Sequence, residues 1–278
     1  MSNNQPSINE LFSAGVHFGH QTNKWNPKMA KFIHSNSLGV HIIDLAKTEE
    51  KLKEACKFLE EAAANGAQIL FIGTKKQASE IIKSEAKRSG SNYISNRWIG
   101  GMLTNVATIR SNIRKLNDYR NKFNSGNFET YTKKEKAIIS KEIERLDSIY
   151  SGIETLNSPQ IAIIVDPKRE NTALKESKLL NMTIVALADT NTNPEGIDYL
   201  IPGNDDAIRS ISLVISTLAD AVERGRKSYE SKPKKSKMAE LEEQKNEKRV
   251  AAANESKESS KEESKSEDKK PSTTTRKK

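Results

Sequence analysis

The sequence has little of what disulfide bonding or membrane insertion requires. Its 278 residues include one cysteine, Cys56, so no internal disulfide can form, which is typical of proteins from a reducing compartment. No apolar run approaches the roughly 20 residues that cross a bilayer. The first residues, MSNNQPSINELF, lack the basic start and apolar core of a signal peptide. We therefore expect a cytoplasmic protein without membrane contacts.

Aromatic residues are also scarce, and the positive charge is unevenly distributed. Aromatic residues make up 5% and charged residues 30% of the chain, and the net charge is +9. Residues 227–278 contain 16 Lys+Arg and 11 Asp+Glu, so they carry +5 and residues 1–226 carry only +4. Because the 227–278 segment has few large apolar residues, it is predicted to be a disordered charged tail. Any RNA-binding surface on the mildly basic body must come from local clusters.

Short apolar segments alternate with amphipathic ones outside the middle of the chain. This alternation predicts an α/β domain whose parallel sheet is covered by helices on both faces. Two further segments, Lys31–Ile33 and Gly39–Asp44, flank a polar turn containing Asn36 and predict a hairpin leading into the sheet. The predicted strands are 68–73, 161–165, 183–188 and 198–201, and the predicted helices are 52–63, 77–88, 172–180 and 205–223.

The segment 105–153 contains no predicted strand but has two stripes of heptad-like spacing. We expect an inserted antiparallel α-helical coiled-coil hairpin, with its turn in the polar residues 124–131. Such a hairpin is either a self-packed protrusion or a docking surface for another macromolecule. The first stripe is Val106, Ile109, Ile113, Leu116 and Phe123, with Arg120 at the interrupted position, and the second is Ile139, Ile143, Leu146, Tyr150 and Ile153.

The glycine patterns that hold nucleotides are missing from the chain. There is neither G-x-G-x-x-G nor G-x-x-x-x-G-K-[ST]. The segment Gly73–Lys76 follows a predicted strand and opens a helix, so it resembles half of a phosphate-binding loop. Without further glycines it is better suited to one RNA phosphate than to a nucleotide. A Rossmann-like nucleotide-binding enzyme or regulator is kept as the alternative function.

Histidine and Cys56 offer little support for catalysis. Four histidines and one cysteine do not form a metal-ligand pattern, and hydrogen-bonded histidines in a compact turn are favoured for His17 and His20. Cys56 lies on the apolar face of its helix, which is typical of an inert thiol.

Aspartates follow several predicted strands and should gather at one edge of a parallel sheet. Asp44, Asp166 and Asp189 come directly after strands, and Asp205 and Asp206 begin the last predicted helix. Helix capping explains Asp205 well. The alternative is a structural divalent metal ion held between Asp189 and Asp205. No cofactor is required by either interpretation.

Basic residues accompany both tryptophans. RNA offers phosphates to cations and unstacked bases to rings, so these clusters favour RNA binding, although each alone could be a solvated face and either tryptophan could be core. We predict RNA contacts from Lys24, Trp25, Lys28 and Lys31, from Lys75 and Lys76, from Arg97 and Trp98, and from Arg110 and Arg114.

Five segments in order resemble the bacterial small-subunit ribosomal protein S2 family. They are AGVHFGHQTNKWNPKM, IIDLAKT, FIGTKKQA, RWIGGMLTN and DTNTNPEGIDYLIPGNDDAIRSI, and the resemblance extends over residues 8–226. The segment NSPQIAIIVDPKRE is less similar, which leaves the roles of Lys168 and Arg169 open.

The resemblance implies a fold and a function. It implies a Rossmann-like (flavodoxin-like) α/β domain formed by residues 1–104 and 154–226, with the helical hairpin of residues 105–153 inserted. It also implies a structural, non-catalytic protein near the head–body junction of the small subunit. There the protein would contact ribosomal RNA, rather than DNA, and neighbouring ribosomal proteins, and help dock the large ribosomal protein that recruits messenger RNA.

Overall fold

The computed structural model describes residues 5–124 and 131–231. The chain divides into two compact units, Met1–Tyr229 and Glu230–Lys278. Nearly all of the second unit lies outside the described residues. The predicted disorder of the tail therefore stays a prediction. Within the described residues, no helix is long and apolar enough to cross a membrane.

A small antiparallel sheet opens the fold. It is formed by β1 (Phe18–Gln21), β2 (Ile33–Ser37) and β3 (Val40–Ile43), in the order β1-β3-β2. The predicted hairpin exists, but its turn was misplaced. Leu38 and Gly39 both have positive φ (50° and 79°), as type I′ hairpin turns require, whereas Asn36 is paired within β2. The hairpin also forms its own sheet with β1 instead of joining the parallel one.

The second sheet has five strands, all parallel. They are β4 (Ile69–Ile72), β5 (Asn92–Ile94), β6 (Ile161–Val165), β7 (Thr183–Ala188) and β8 (Tyr199–Pro202). Their order is β5-β4-β6-β7-β8, which is the flavodoxin-like order. Strand β5 escaped prediction because its three residues, NYI, are too few and too polar to form an apolar run.

Helices cover both faces of this sheet, which explains its continuous apolar strands. In β4 the side chains alternate: Phe71 belongs to the core cluster on one face and Leu70 to the cluster on the other. The first face is covered by α2 (Leu45–Ala64), α3 (Lys76–Arg88) and α7 (Ile208–Ser231). The second face is covered by α4 (Val106–Asn124), α5 (Lys133–Tyr150) and α6 (Asn171–Leu179), while the short α1 (Ile8–Ser13) packs near α2.

Helices α4 and α5 lie in the segment predicted to be a hairpin, and they contact each other. Leu116 and Leu146 are buried, and the Asn112 side-chain amide donates to the Tyr150 hydroxyl over 3.0 Å. Arg120, which interrupts the first apolar stripe, pairs with Asp147 and Glu154. The turn at residues 125–130 lies outside the described residues. The coiled-coil geometry of the pair stays a prediction.

The last helix differs from its prediction at both ends. It begins at Ile208, so Asp205 lies before it. The turn leading into the helix is held by Asn204, whose Oδ1 accepts from the backbone N–H groups of Asp206 and Ala207. The capping role predicted for Asp205 is therefore wrong. Helix α7 continues to Ser231, beyond the predicted start of the tail at residue 227.

Candidate functional site

Buried charged side chains meet at the carboxyl edge of the parallel sheet, between β4 and β6. In flavodoxin-like sheets the connections change direction at this point, which is where ligands commonly bind. Lys75 follows β4 and Asp166 follows β6, and their Nζ and Oδ2 atoms are 3.3 Å apart. Two further carboxylates reach the same ammonium group: Asp205 Oδ1 at 2.7 Å and Asp206 Oδ1 at 2.6 Å. One buried cation thus serves three carboxylates.

This excess of carboxylates changes the pKa values of the cluster. Burial acts to lower the pKa of Lys75, but hydrogen bonds to Asp205 and Asp206 and the nearby negative charge raise it above its ordinary value. Burial raises the pKa of Asp205 to about 7, and repulsion from Asp166 adds to this, while Lys75 opposes it. Lys75 is therefore a fixed charge, and Asp205 is the carboxylate least compensated by its surroundings.

Strand β1 adds a histidine to this cluster. His20 Nδ1 lies 2.7 Å from Asp189 Oδ2, and the His20 backbone N–H donates to the Thr190 hydroxyl over 3.0 Å. The pKa of His20 is raised, mainly by the hydrogen bond with Asp189, although burial opposes this. Gly19 makes the close approach possible, because a Cβ there would lie 2.8 Å from Thr190 Cγ2.

The predicted gathering of aspartates at one sheet edge is confirmed for Asp166, Asp189 and Asp205. Asp44 is different, because it caps α2 by accepting from the Ala46 N–H. The sequence predicted hydrogen-bonded histidines in a compact turn, but His20 lies in β1 and its ring is bonded to Asp189, 169 residues later, so its place in the aspartate cluster was missed. His17 Nδ1 has no hydrogen-bond partner among the described residues. Asp206, which the sequence grouped with Asp205, also lies at this edge, with its Oδ1 atom 2.6 Å from Lys75 Nζ.

The segment Gly73–Lys76 does not offer a free phosphate site. The Thr74 N–H and hydroxyl both donate to Glu170 Oε1, at 3.0 and 2.5 Å, so a carboxylate already occupies these donors. Lys75 is 8% exposed and surrounded by aspartates that would repel a phosphate. The prediction that Lys75 contacts RNA phosphate is therefore wrong, and the same geometry argues against a nucleotide site here.

The other cations predicted to bind RNA lie on the surface. Lys28 pairs with Glu195 over 2.6 Å. Trp25 is 37% exposed, and its ring lies 5.0 Å from that of His41. Trp98 is half-buried. The exposed predicted cations are Lys24, Lys28, Lys31, Lys76, Arg97, Arg110 and Arg114.

Glu176, in α6, holds the loop that carries Arg97 and Trp98. Its carboxylate accepts from the Trp98 Nε1–H at 3.0 Å, from the Gly101 N–H at 2.8 Å and from the Leu103 N–H at 3.0 Å. The Thr104 N–H and hydroxyl also donate to it, both over 3.3 Å. Burial alone would raise the pKa of Glu176, but these donors lower it overall. Sequence reasoning missed this residue, although an acidic side chain beside the apolar Ala173 and Leu174 was a usable signal.

A polar groove of about 360 Å³ runs along the other side of α6. Lys175 and Lys178 line it from α6, and Asn26 lines it from the loop that carries Lys24 and Lys28. The Asn26 N–H donates to the Thr190 carbonyl over 2.8 Å, which ties that loop to the end of β7. The two basic–aromatic clusters predicted from sequence therefore both lie beside α6. Lys168, whose role the sequence left open, also lines the groove.

Cys56 lies on the buried face of α2 and belongs to the core, as predicted. Burial raises the pKa of its thiol to about 12. We expect native protein at pH 8 to react with a thiol reagent far more slowly than protein unfolded in guanidinium, because the thiolate is the nucleophile. Absorbance of the released chromophore measures both rates. Equal rates in the two states would contradict the burial of Cys56.

The sequence was compared with models of protein families. The model described as Ribosomal protein S2 matches residues 11–225. The match includes both sheets, all of α2 to α6 and the whole His20–Asp206 cluster. Because it extends over more than three quarters of the chain, the protein belongs to the ribosomal protein S2 family.

Proposed function

We propose that this structural protein of the small ribosomal subunit binds ribosomal RNA through the basic surface on either side of α6. The observation that carries the proposal is the position of α6 between two cationic loops. Glu176 fixes the Arg97 loop on one side. Lys175, Lys178 and Asn26, which belongs to the Lys24–Lys28 loop, line the groove on the other side. Phosphates would bind these cations, and the partly exposed Trp25 would stack on a base.

The distribution of charge supports this assignment. The aspartates at the sheet edge are largely buried around Lys75 and His20, whereas Lys24 and Arg97 are exposed. The body can therefore present cations to RNA although its net charge is small. The mechanism is positional: the protein neutralises phosphates where RNA helices meet. The exposed cations and Trp25 would bind RNA, and we assign no catalytic step to any of them.

The proposal includes a location and partners. We infer a place near the head–body junction of the small subunit, with contacts to neighbouring ribosomal proteins. One of them would be the large ribosomal protein that recruits messenger RNA. The α4–α5 pair supports this part, because Val106 and Ile138 leave apolar side chains exposed for a protein neighbour.

Reversing two charges tests the RNA-binding surface. The double variant Lys24→Glu/Arg97→Glu should incorporate less well into small subunits, and the defect should be largest at low salt and shrink as salt rises, because the variant neutralises fewer phosphates and so depends less on salt. Each lost phosphate contact should lower the salt slope of RNA affinity by about 1. Sucrose-gradient sedimentation of a tagged copy measures incorporation, and filter binding to small-subunit RNA at several salt concentrations measures the slope.

The matched control is Lys57→Glu/Lys87→Glu, which makes the same change of charge on α2 and α3, over the opposite face of the sheet. Incorporation of this control should resemble that of the unmodified protein. If both double variants lost incorporation equally, the effect would be one of net charge and the surface beside α6 would be the wrong one. If the unmodified tagged protein itself stayed at the top of the gradient, the whole assignment would fail.

A further inference from the structure

Four side chains beside Lys75 converge on a single point. His20, Asp189, Asp205 and Asp206 each offer one ligand atom, and these atoms all lie within 4.8 Å of one another. We propose that this cluster binds one divalent transition-metal ion, for which Zn²⁺ is the representative. His20, Asp205 and Asp206 would be its direct ligands, and Asp189 would orient His20.

Asp205 supplies the first independent observation. Its side chain is completely buried, and Lys75 holds Oδ1 at 2.7 Å. Its second oxygen, Oδ2, has no hydrogen-bond partner among the described residues. A buried carboxylate oxygen without a donor is unfavourable, and buried charges are normally paired or bound to metal. Since Lys75 occupies Oδ1, Oδ2 is the oxygen left for an ion.

His20 and Asp206 supply the second observation. With Nδ1 hydrogen-bonded to Asp189, Nε2 carries the lone pair of the neutral imidazole. Nε2 lies 3.7 Å from Asp206 Oδ2, which is too far for a hydrogen bond. Ligand atoms that are each about 2.1 Å from a tetrahedral zinc ion lie roughly 3.4 Å apart. This separation therefore fits two ligands of one ion better than a direct contact.

Asp189 has its oxygens already occupied. Oδ1 accepts from the Thr190 N–H at 2.5 Å and from the Thr190 hydroxyl at 3.0 Å, and Oδ2 is bound to His20. A carboxylate that holds the far nitrogen of a metal-binding histidine is the usual outer partner in such sites. The pair expected from sequence, Asp189 with Asp205, is thus reassigned: Asp205 binds directly and Asp189 positions His20.

The charges of the site also favour a cation. Lys75 is a single positive charge, and the oxygens that it contacts are Oδ2 of Asp166 and Oδ1 of Asp205 and Asp206 rather than Oδ2 of Asp205 or Asp206. A divalent ion would offset most of the remaining negative charge. Mixed imidazole and carboxylate ligands suit zinc and similar ions, whereas magnesium and calcium prefer oxygen alone. The carboxylates of the cluster are Asp166, Asp189, Asp205 and Asp206.

Metal titration of the full-length protein tests the proposal. After treatment with chelator, Zn²⁺ is added in a calorimeter, and Co²⁺ is added separately while its visible absorption is recorded. We expect one ion per chain and cobalt bands typical of nitrogen and oxygen ligands. His20→Gln and Asp206→Asn should each weaken zinc binding by more than roughly tenfold, and Asp189→Asn by roughly 10- to 100-fold.

Asp118→Asn is the matched control, because Asp118 is an exposed aspartate on α4. The zinc affinity of this variant should equal that of the unmodified protein. Side chains of His20 and Asp206 are 23% and 54% exposed, so both variants should fold, which circular dichroism checks. No zinc binding and no cobalt bands in the unmodified protein would overturn the proposal without reference to any variant. It would also be overturned by zinc binding that survives both ligand substitutions, or by saturation with Mg²⁺ in preference to Zn²⁺.

Discussion

Replacing Lys75 by methionine should lower the free energy of unfolding by about 3–5 kcal/mol. Methionine keeps most of the side-chain volume but removes the cation that contacts Asp166 and Asp205, leaving these buried carboxylates without its compensation. Urea unfolding measures the free energy directly. In a thermal scan each lost kcal/mol should lower the melting temperature by roughly 2–4 °C for a domain of this size.

Lys76→Met is the matched control, because the neighbouring Lys76 is exposed and no ion pair is found for it within the described residues. Its unfolding free energy should change by less than about 0.5 kcal/mol. Adding Asp205→Asn to Lys75→Met should recover part of the lost stability, since one of the uncompensated carboxylates is then neutral. A destabilisation equal to that of Lys76→Met would show that Lys75 is solvated rather than buried among the aspartates.

Replacing Glu176 by alanine should cost about 3 kcal/mol of unfolding free energy and weaken RNA binding as well. The carboxylate accepts from Trp98, Gly101 and Leu103, and charge-assisted hydrogen bonds contribute roughly 1.5–3 kcal/mol each without adding fully. Once it is removed, buried donors in the Arg97 loop have no acceptor. Amide hydrogen exchange at Gly101 and Leu103 should accelerate, and filter binding should show lower RNA affinity.

The RNA measurement separates two explanations. Removing a negative charge near an RNA-binding surface should by itself raise affinity, so a fall in affinity must come from loss of order in the loop. Glu144→Gln, an exposed acid on α5, is the control, and it should leave both stability and exchange unchanged. If Glu176→Ala instead bound RNA more tightly and its loop amides kept their protection, Glu176 would not be organising this surface.

The elements that could be predicted from sequence are those whose signal is local. The strands at Ile161–Val165 and Thr183–Ala188 are continuous apolar runs, because both faces of the sheet are covered. Helix α3 was predicted within one residue from its apolar spacing. Strand β5 was not predicted, since a three-residue edge strand depends on pairing with β4, which is distant in the chain. The start of α7 was misplaced although its signal is local, because Asn204 accepts from Asp206 and Ala207.

The candidate sites divide in the same way. Clusters of cations near Trp25 and Trp98 are visible in the sequence, and the exposed cations among them stay candidates for RNA contact. Lys75 has the same local appearance as Lys76 in the segment GTKK, yet it is buried in an aspartate cluster while Lys76 faces solvent. No sequence pattern distinguishes the two, because the partners of Lys75 follow 91 to 131 residues later.

The sequence by itself determined the family, the class of fold and the absence of a nucleotide-binding glycine pattern, because each rests on residues adjacent in the chain. The tertiary structure alone decided which charges are available to RNA. Parallel strands bring their carboxyl ends to one edge, so residues that are far apart in the chain meet there and compensate one another. That convergence buries Lys75, orients His20 through Asp189 and leaves one buried oxygen of Asp205 without a hydrogen-bond partner among the described residues.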